Sequence, residues 1–140
     1  MTTSTKPSQV LNIALWVAQL ALAGMFLMAG IMKSTKSIEE LAVMLPWVKD
    51  FSITTVRFIG ISEFMGGLGL LLPSLFKIKP VLTPVAAIGL VVVMILAAVY
   101  HGSKGEFSAI GFNAALIVVA LFIAWGRYSK APIIAESHQS

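Results

Sequence analysis

Ile53-Thr54-Thr55-Val56-Arg57-Phe58-Ile59-Gly60-Ile61-Ser62-Glu63-Phe64-Met65-Gly66-Gly67-Leu68-Gly69-Leu70-Leu71-Leu72 is long enough to cross a bilayer as a helix, yet it holds a carboxylate near its middle. A helical span takes about 20 residues. The only other charge in this run is Arg57, and the remaining apolar runs, residues 10–31, 81–100 and 107–125, carry none. A carboxylate halfway through a span costs about 2.5–3.5 kcal/mol on insertion scales unless it is protonated, paired or turned to a wet cavity. Glu63 is a candidate functional residue on its position alone.

Composition agrees with a lipid environment. The chain has 140 residues, of which 58% are hydrophobic and 11% charged, against about 25% charged in soluble domains. Four spans predict an all-α fold, a membrane four-helix bundle occupying residues 1–140 as a single domain. With no cysteine, structural disulfides, thiolate metal sites and in-chain dithiol chemistry are excluded. The net charge of +4 comes from Lys and Arg residues that flank spans. That pattern points to headgroup contact with the lipid bilayer and not to nucleic acid. Residues 10–31 are too long an apolar stretch for a signal peptide and are expected to be a retained span.

An even number of crossings puts both termini on one side. Lys6, Lys77, Lys79, Arg127 and Lys130 lie on that side, and Lys33, Lys36, Lys49 and Lys104 on the other, with Arg57 at the border. The lysines of the very short 73–80 loop tip the expectation toward cytoplasmic termini. Trp16, Trp47, Tyr100, Trp125 and Tyr128 fall near span ends, where aromatic belts sit.

The longest connection, residues 32–52, contains the S-x-x-E capping box Ser37…Glu40. Ile38, Leu41, Ala42 and Leu45 then share one helical face, and Pro46 stops the turn. A short interfacial helix over residues 37–46 is predicted, either lying in the outer interface or capping the bundle.

Small residues recur four apart at Ala14/Ala18, Ser62/Gly66, Gly111/Ala115 and Ala120/Ala124, the spacing by which membrane helices approach closely. Gly60 and Gly67 flank Glu63 on its own stripe, so Glu63 is expected to face other helices. Pro73 ends its span, and Pro84 sits harmlessly in the first turn of the next. Glu63 lies roughly 13–15 Å below the outer surface at the helical rise. Lys33, Arg57, His101 and Asn113 all enter from that outer side, and Gln19 reaches the midplane from the other. The expected ion-pair or ligand-binding cluster is Glu63, Lys33, Arg57, His101 and Asn113, with Lys33 the first-choice partner of Glu63. An outer-half cavity beside Glu63 is expected, with the inner half nearly free of polar groups below Gln19. With His138 in the polar tail, His101 stands alone, which rules out the usual metal constellations.

The stretch Met28-Ala29-Gly30-Ile31-Met32-Lys33, the core Arg57-Phe58-Ile59-Gly60-Ile61-Ser62-Glu63-Phe64-Met65-Gly66-Gly67, Leu70-Leu71-Leu72-Pro73 and Leu82-Thr83-Pro84-Val85-Ala86-Ala87-Ile88-Gly89 resemble the DoxX-like family. The resemblance spans about Ala14 to Arg127. It implies a four-helix membrane bundle, mostly bacterial, in which Lys33, Arg57 and Glu63 match recurrent polar positions. It also implies roles reported across the family: a thiosulfate–quinone oxidoreductase subunit, a membrane oxidoreductase complex with partner proteins, or a receptor-assembly chaperone.

Three function classes follow. The first is a membrane component of a redox or quinone-linked system, with a quinone or lipid as ligand and oxidoreductase partners, in a bacterial inner membrane. The second is an assembly chaperone or scaffold that grips membrane partner proteins or a second copy of itself as a homo-oligomer. The third is a small transporter, although small multidrug exporters place their glutamate in the first span. No nucleophile–base pairing or phosphate loop is present, and in-chain catalysis is not expected.

Overall fold

The computed structural model describes residues 8–136, so Lys6 and His138 lie outside the described residues. Among the described residues, four helices are long and apolar enough to cross a membrane. They are α1 (Gln9–Thr35), α3 (Ile53–Phe76), α4 (Leu82–Ser103) and α5 (Phe107–Trp125), with the short α2 (Ile38–Met44) between the first two. A π-type turn, Gly126–Lys130, extends α5. Both described ends lie at one end of the bundle, here the terminal end; α2 and the α4–α5 turn lie at the opposite, loop end.

The residues explain the limits of these elements. Ser8 and Ser52 accept hydrogen bonds from Leu11 N and Thr55 N and start α1 and α3, each cap being worth about 1 kcal/mol. Ser37 and Glu40 close both halves of the predicted capping box at α2. That helix ends at Met44, and Pro46 opens a 3-10 turn, Pro46–Asp50, because the residue before a proline avoids the α region. The α2 stripe is turned onto the bundle: Leu41, Val48 and Val56 are fully buried, with Ile38, Ala42, Leu45 and Trp47 packed around them.

Pro73 does not end its span, contrary to expectation; it lies inside α3, which continues to Phe76. A proline inside a membrane helix is tolerated where neighbouring helices satisfy the backbone around the break. Pro73 leaves the Gly69 carbonyl, four residues back, without its helical donor, and one residue on Gln19 Nε2 of α1 donates to the Leu70 carbonyl at 2.7 Å. The chain then turns through left-handed Lys77 and Lys79 (φ 54° and 46°).

The most intimate packing joins α1 to α3, followed by α4 to α5 and then α3 to α4. Gly30 and Gly60 make the first contact possible. A Cβ on Gly30 would lie 2.6 Å from the Gly60 carbonyl oxygen and from Phe64 N, both backbone atoms that cannot give way. Gly67 meets Leu27 and the Ala23 carbonyl in the same way. The apolar core runs along the remaining length through Leu22, Phe26, Leu70, Leu90, Met94 and Ile123. Of the small-residue pairs, Ala120/Ala124 is buried and Gly111/Ala115 is exposed.

Candidate functional site

Close approach of α1 to α3 determines where the charges meet. Gly60 is covered by Lys33, whose Cβ would lie 2.7 Å from a Cβ at that glycine. Lys33 Nζ thereby reaches both oxygens of Glu63, at 2.8 and 2.7 Å. The pair is enclosed, with Lys33 8% and Glu63 3% exposed. Arg57 does not touch Glu63. Its Nη1 donates to the Lys33 carbonyl at 2.6 Å, filling one of the four carbonyls that a helix end leaves without an internal partner. Trp47 presents its ring 5.5 Å from Lys33 Nζ. Lys33, Arg57 and Glu63 thus form one latch between α1 and α3, roofed by the 3-10 turn.

The other two candidates stand apart. His101 is half-buried, and its Nδ1 is paired with Glu106. Asn113 is buried at 7% exposure on α5, and its Nδ2 has no hydrogen-bond partner among the described residues. Asp50 accepts from the Tyr100 hydroxyl and pairs with Lys104 at 3.2 Å, tying the loop after α2 to α4. The Tyr100 hydroxyl, and after it the Lys104 ammonium, hold the Asp50 carboxyl below its ordinary range.

An outer cavity beside Glu63 is expected, but two clefts, at the terminal end, are lined by other residues and not by Glu63. The volume that Gly60 and Gly67 leave vacant is occupied by α1 moving in. Among the described residues, no group of three or more His, Cys, Asp or Glu side chains could hold a metal ion.

The terminal half is not poor in polar groups, and this corrects the sequence expectation. Arg127 is 3% exposed; it is no solvated tail charge. Its Nε donates to Gln19 Oε1 at 2.5 Å. Its Nη1 donates to Asn12 Oδ1 at 2.7 Å and to the Ala131 carbonyl at 3.0 Å. Trp16 lies 5.2 Å from the guanidinium. Ser74 and Thr83 share a further buried hydrogen bond of 2.7 Å. Two local features bring Arg127 inward. Gly126 lies against Leu15, where a Cβ would meet the leucine methyls at 2.5 and 2.6 Å. The π-type turn, closed by Ala131 N–H to the Gly126 carbonyl at 2.7 Å, then carries the chain back under α1. The signal in the sequence is that Asn12 and Gln19 stand seven apart, on one face of α1; nothing in it identifies Arg127 as their partner.

Comparisons with known proteins agree with this architecture. No curated protein and no solved structure matches the chain. Residues 17–123 match the model of the DoxX-like family, and they contain the α1–α3 latch, all of α2, α3 and α4, and most of α1 and α5. By that match and by its four apolar helices, this integral membrane protein belongs to the DoxX-like family.

Proposed function

We propose that the chain is a scaffold subunit for membrane partner proteins. It works in a bacterial inner membrane with both termini in the cytoplasm. The observation that carries this reading is the exposed small-residue face of α5. Gly111 and Ala115 sit one turn apart on the surface, and a Cβ on Gly111 would meet nothing within 4 Å. Such a face lets a second helix approach closely where lipid supplies no hydrophobic drive. The latch is consistent with this role, since both Glu63 oxygens are already taken by Lys33, leaving that carboxylate to hold helices together.

A quinone-linked redox component is the second reading. It is favoured by an apolar cleft of about 450 Å³ between α4 and α5, edged by Trp125 and Tyr128, within the size range of small-ligand sites. Native mass spectrometry in gentle detergent separates the two. A scaffold gives a complex of defined stoichiometry, with another membrane polypeptide or a second copy, that is lost in Gly111→Ile. A monomer carrying quinone, indifferent to Gly111→Ile, overturns the scaffold reading.

A further inference from the structure

Arg127 is a cation with unfilled valence. A guanidinium offers five N–H donors and keeps its charge in proteins. Three of the five are taken, all by neutral oxygens: Gln19 Oε1, Asn12 Oδ1 and the Ala131 carbonyl. Nη2 is buried with no hydrogen-bond partner, and among the described residues Arg127 forms no ion pair. A buried charge without a counter-charge is costly and is normally paired.

The same residue lines a cleft of about 250 Å³, walled by Pro80, Val81, Pro84, Pro132 and Ile133. Val81, Pro84 and Tyr128 also line the larger groove, which continues along α4 and α5 past Val85, Ile88 and Ala124. A cationic cleft at the end of the bundle thus opens into an apolar groove on its flank.

We infer that these joined clefts bind an anionic phospholipid from the leaflet at the terminal end, with its phosphate against Arg127 and an acyl chain along the α4–α5 groove. Phosphate oxygens match the planar fork of a guanidinium and supply the missing negative charge. A neutral quinone would fill the groove and leave that charge uncompensated. Free phosphate would satisfy the guanidinium and leave the groove unused. The inference does not depend on the scaffold reading, because it concerns the terminal end of α5, more than two turns from Gly111 and Ala115.

The test uses the full chain in neutral detergent, with phosphatidylglycerol, phosphatidylcholine and inorganic phosphate as separate probes. Native mass spectrometry should show phosphatidylglycerol retained about tenfold over phosphatidylcholine, whose quaternary ammonium offsets the negative charge that its phosphate would bring to Arg127. Arg127→Gln should abolish that preference. Val85→Trp, at a position 59% exposed, should fold normally by circular dichroism and lower retention of both lipids by blocking the groove. It decides the question even where Arg127→Gln fails to fold. Equal retention of the two lipids by the wild type overturns the inference, as does a preference that persists in Arg127→Gln. Stabilisation by inorganic phosphate with lipid retention unchanged in Val85→Trp overturns the lipid assignment.

Discussion

At the loop end of the bundle a buried cation meets a buried anion; at the terminal end, among the described residues, a buried cation meets amides, a carbonyl and the Trp16 ring, and no anion. Lys33 and Glu63 neutralise each other within 2.7–2.8 Å. Arg127 is held as firmly by geometry, through Gln19, Asn12 and Ala131, yet no carboxylate among the described residues balances its charge. The two regions show that burial and hydrogen bonding do not by themselves define a site. Charge balance separates a closed structural joint from an open one. A matched pair in a low-dielectric interior has little to offer a ligand, whereas an unmatched guanidinium lining a cleft still has donors to give.

The contrast is tested most severely by cutting the pair. Glu63→Ala leaves the Lys33 ammonium uncompensated, which typically costs about 3–5 kcal/mol. The expected outcome is a large fall in melting temperature and expression relative to Glu40→Ala, at an exposed position. The double variant Lys33→Met/Glu63→Leu should recover most of that loss, because replacing both members of a buried pair by apolar groups is often neutral. A double variant as unstable as Glu63→Ala would mean that the latch is more than a matched pair.

A smaller effect is expected at the other end. Arg127→Met removes an unbalanced charge, which helps, but strands the Gln19 and Asn12 oxygens, each an acceptor whose loss of partner costs about 1–3 kcal/mol. The net should be a milder destabilisation than Glu63→Ala, read as a smaller shift in thermal melting. An equal or larger loss would show that the terminal cluster, and not the latch, holds the bundle together.

The smallest expected effect lies outside both clusters. The Asp50 carboxyl is held below its ordinary range by Tyr100 and Lys104, so its folded-state pKa lies below its unfolded one. Its contribution is present above the unfolded value, about 3.9, and is lost as pH falls through the folded value. Asp50→Asn should lower stability slightly at neutral pH and flatten the acid limb of the stability curve. Unchanged acid sensitivity in the variant would remove Asp50 from the account. Because this carboxyl is solvated, the change should be far below that at Glu63.

Much of the loop end is legible in the sequence. Glu63 stands out because charge is expensive at mid-span, and the glycines on its stripe point it toward another helix. Lys33 closes the preceding span at the same end, which makes it the natural partner. Arg57 was harder, since its guanidinium reaches a backbone carbonyl that no side-chain pattern advertises. The terminal cluster was nearly invisible. Arg127 follows Trp125 in a position that reads as a tail charge, and only the Gly126 contact with Leu15 and the π-type turn draw it inward. Pro73 reads as a stop because a proline ends most helices in water, whereas inside a packed bundle α3 runs on to Phe76.

The sequence by itself determined that four runs prefer lipid, that α2 starts at its capping box, and that Glu63 requires a partner. Transfer energies and caps are sums over local residues, so composition and spacing are enough to read them. Only the tertiary structure decided that Lys33 closes on both oxygens of Glu63, that the pair is buried, and that the open valence lies at Arg127. Those outcomes depend on how closely two backbones approach at Gly30 and Gly60 and on the path of one turn after α5. Such distances of a few ångströms are settled by the packing of the whole bundle and not by any one segment.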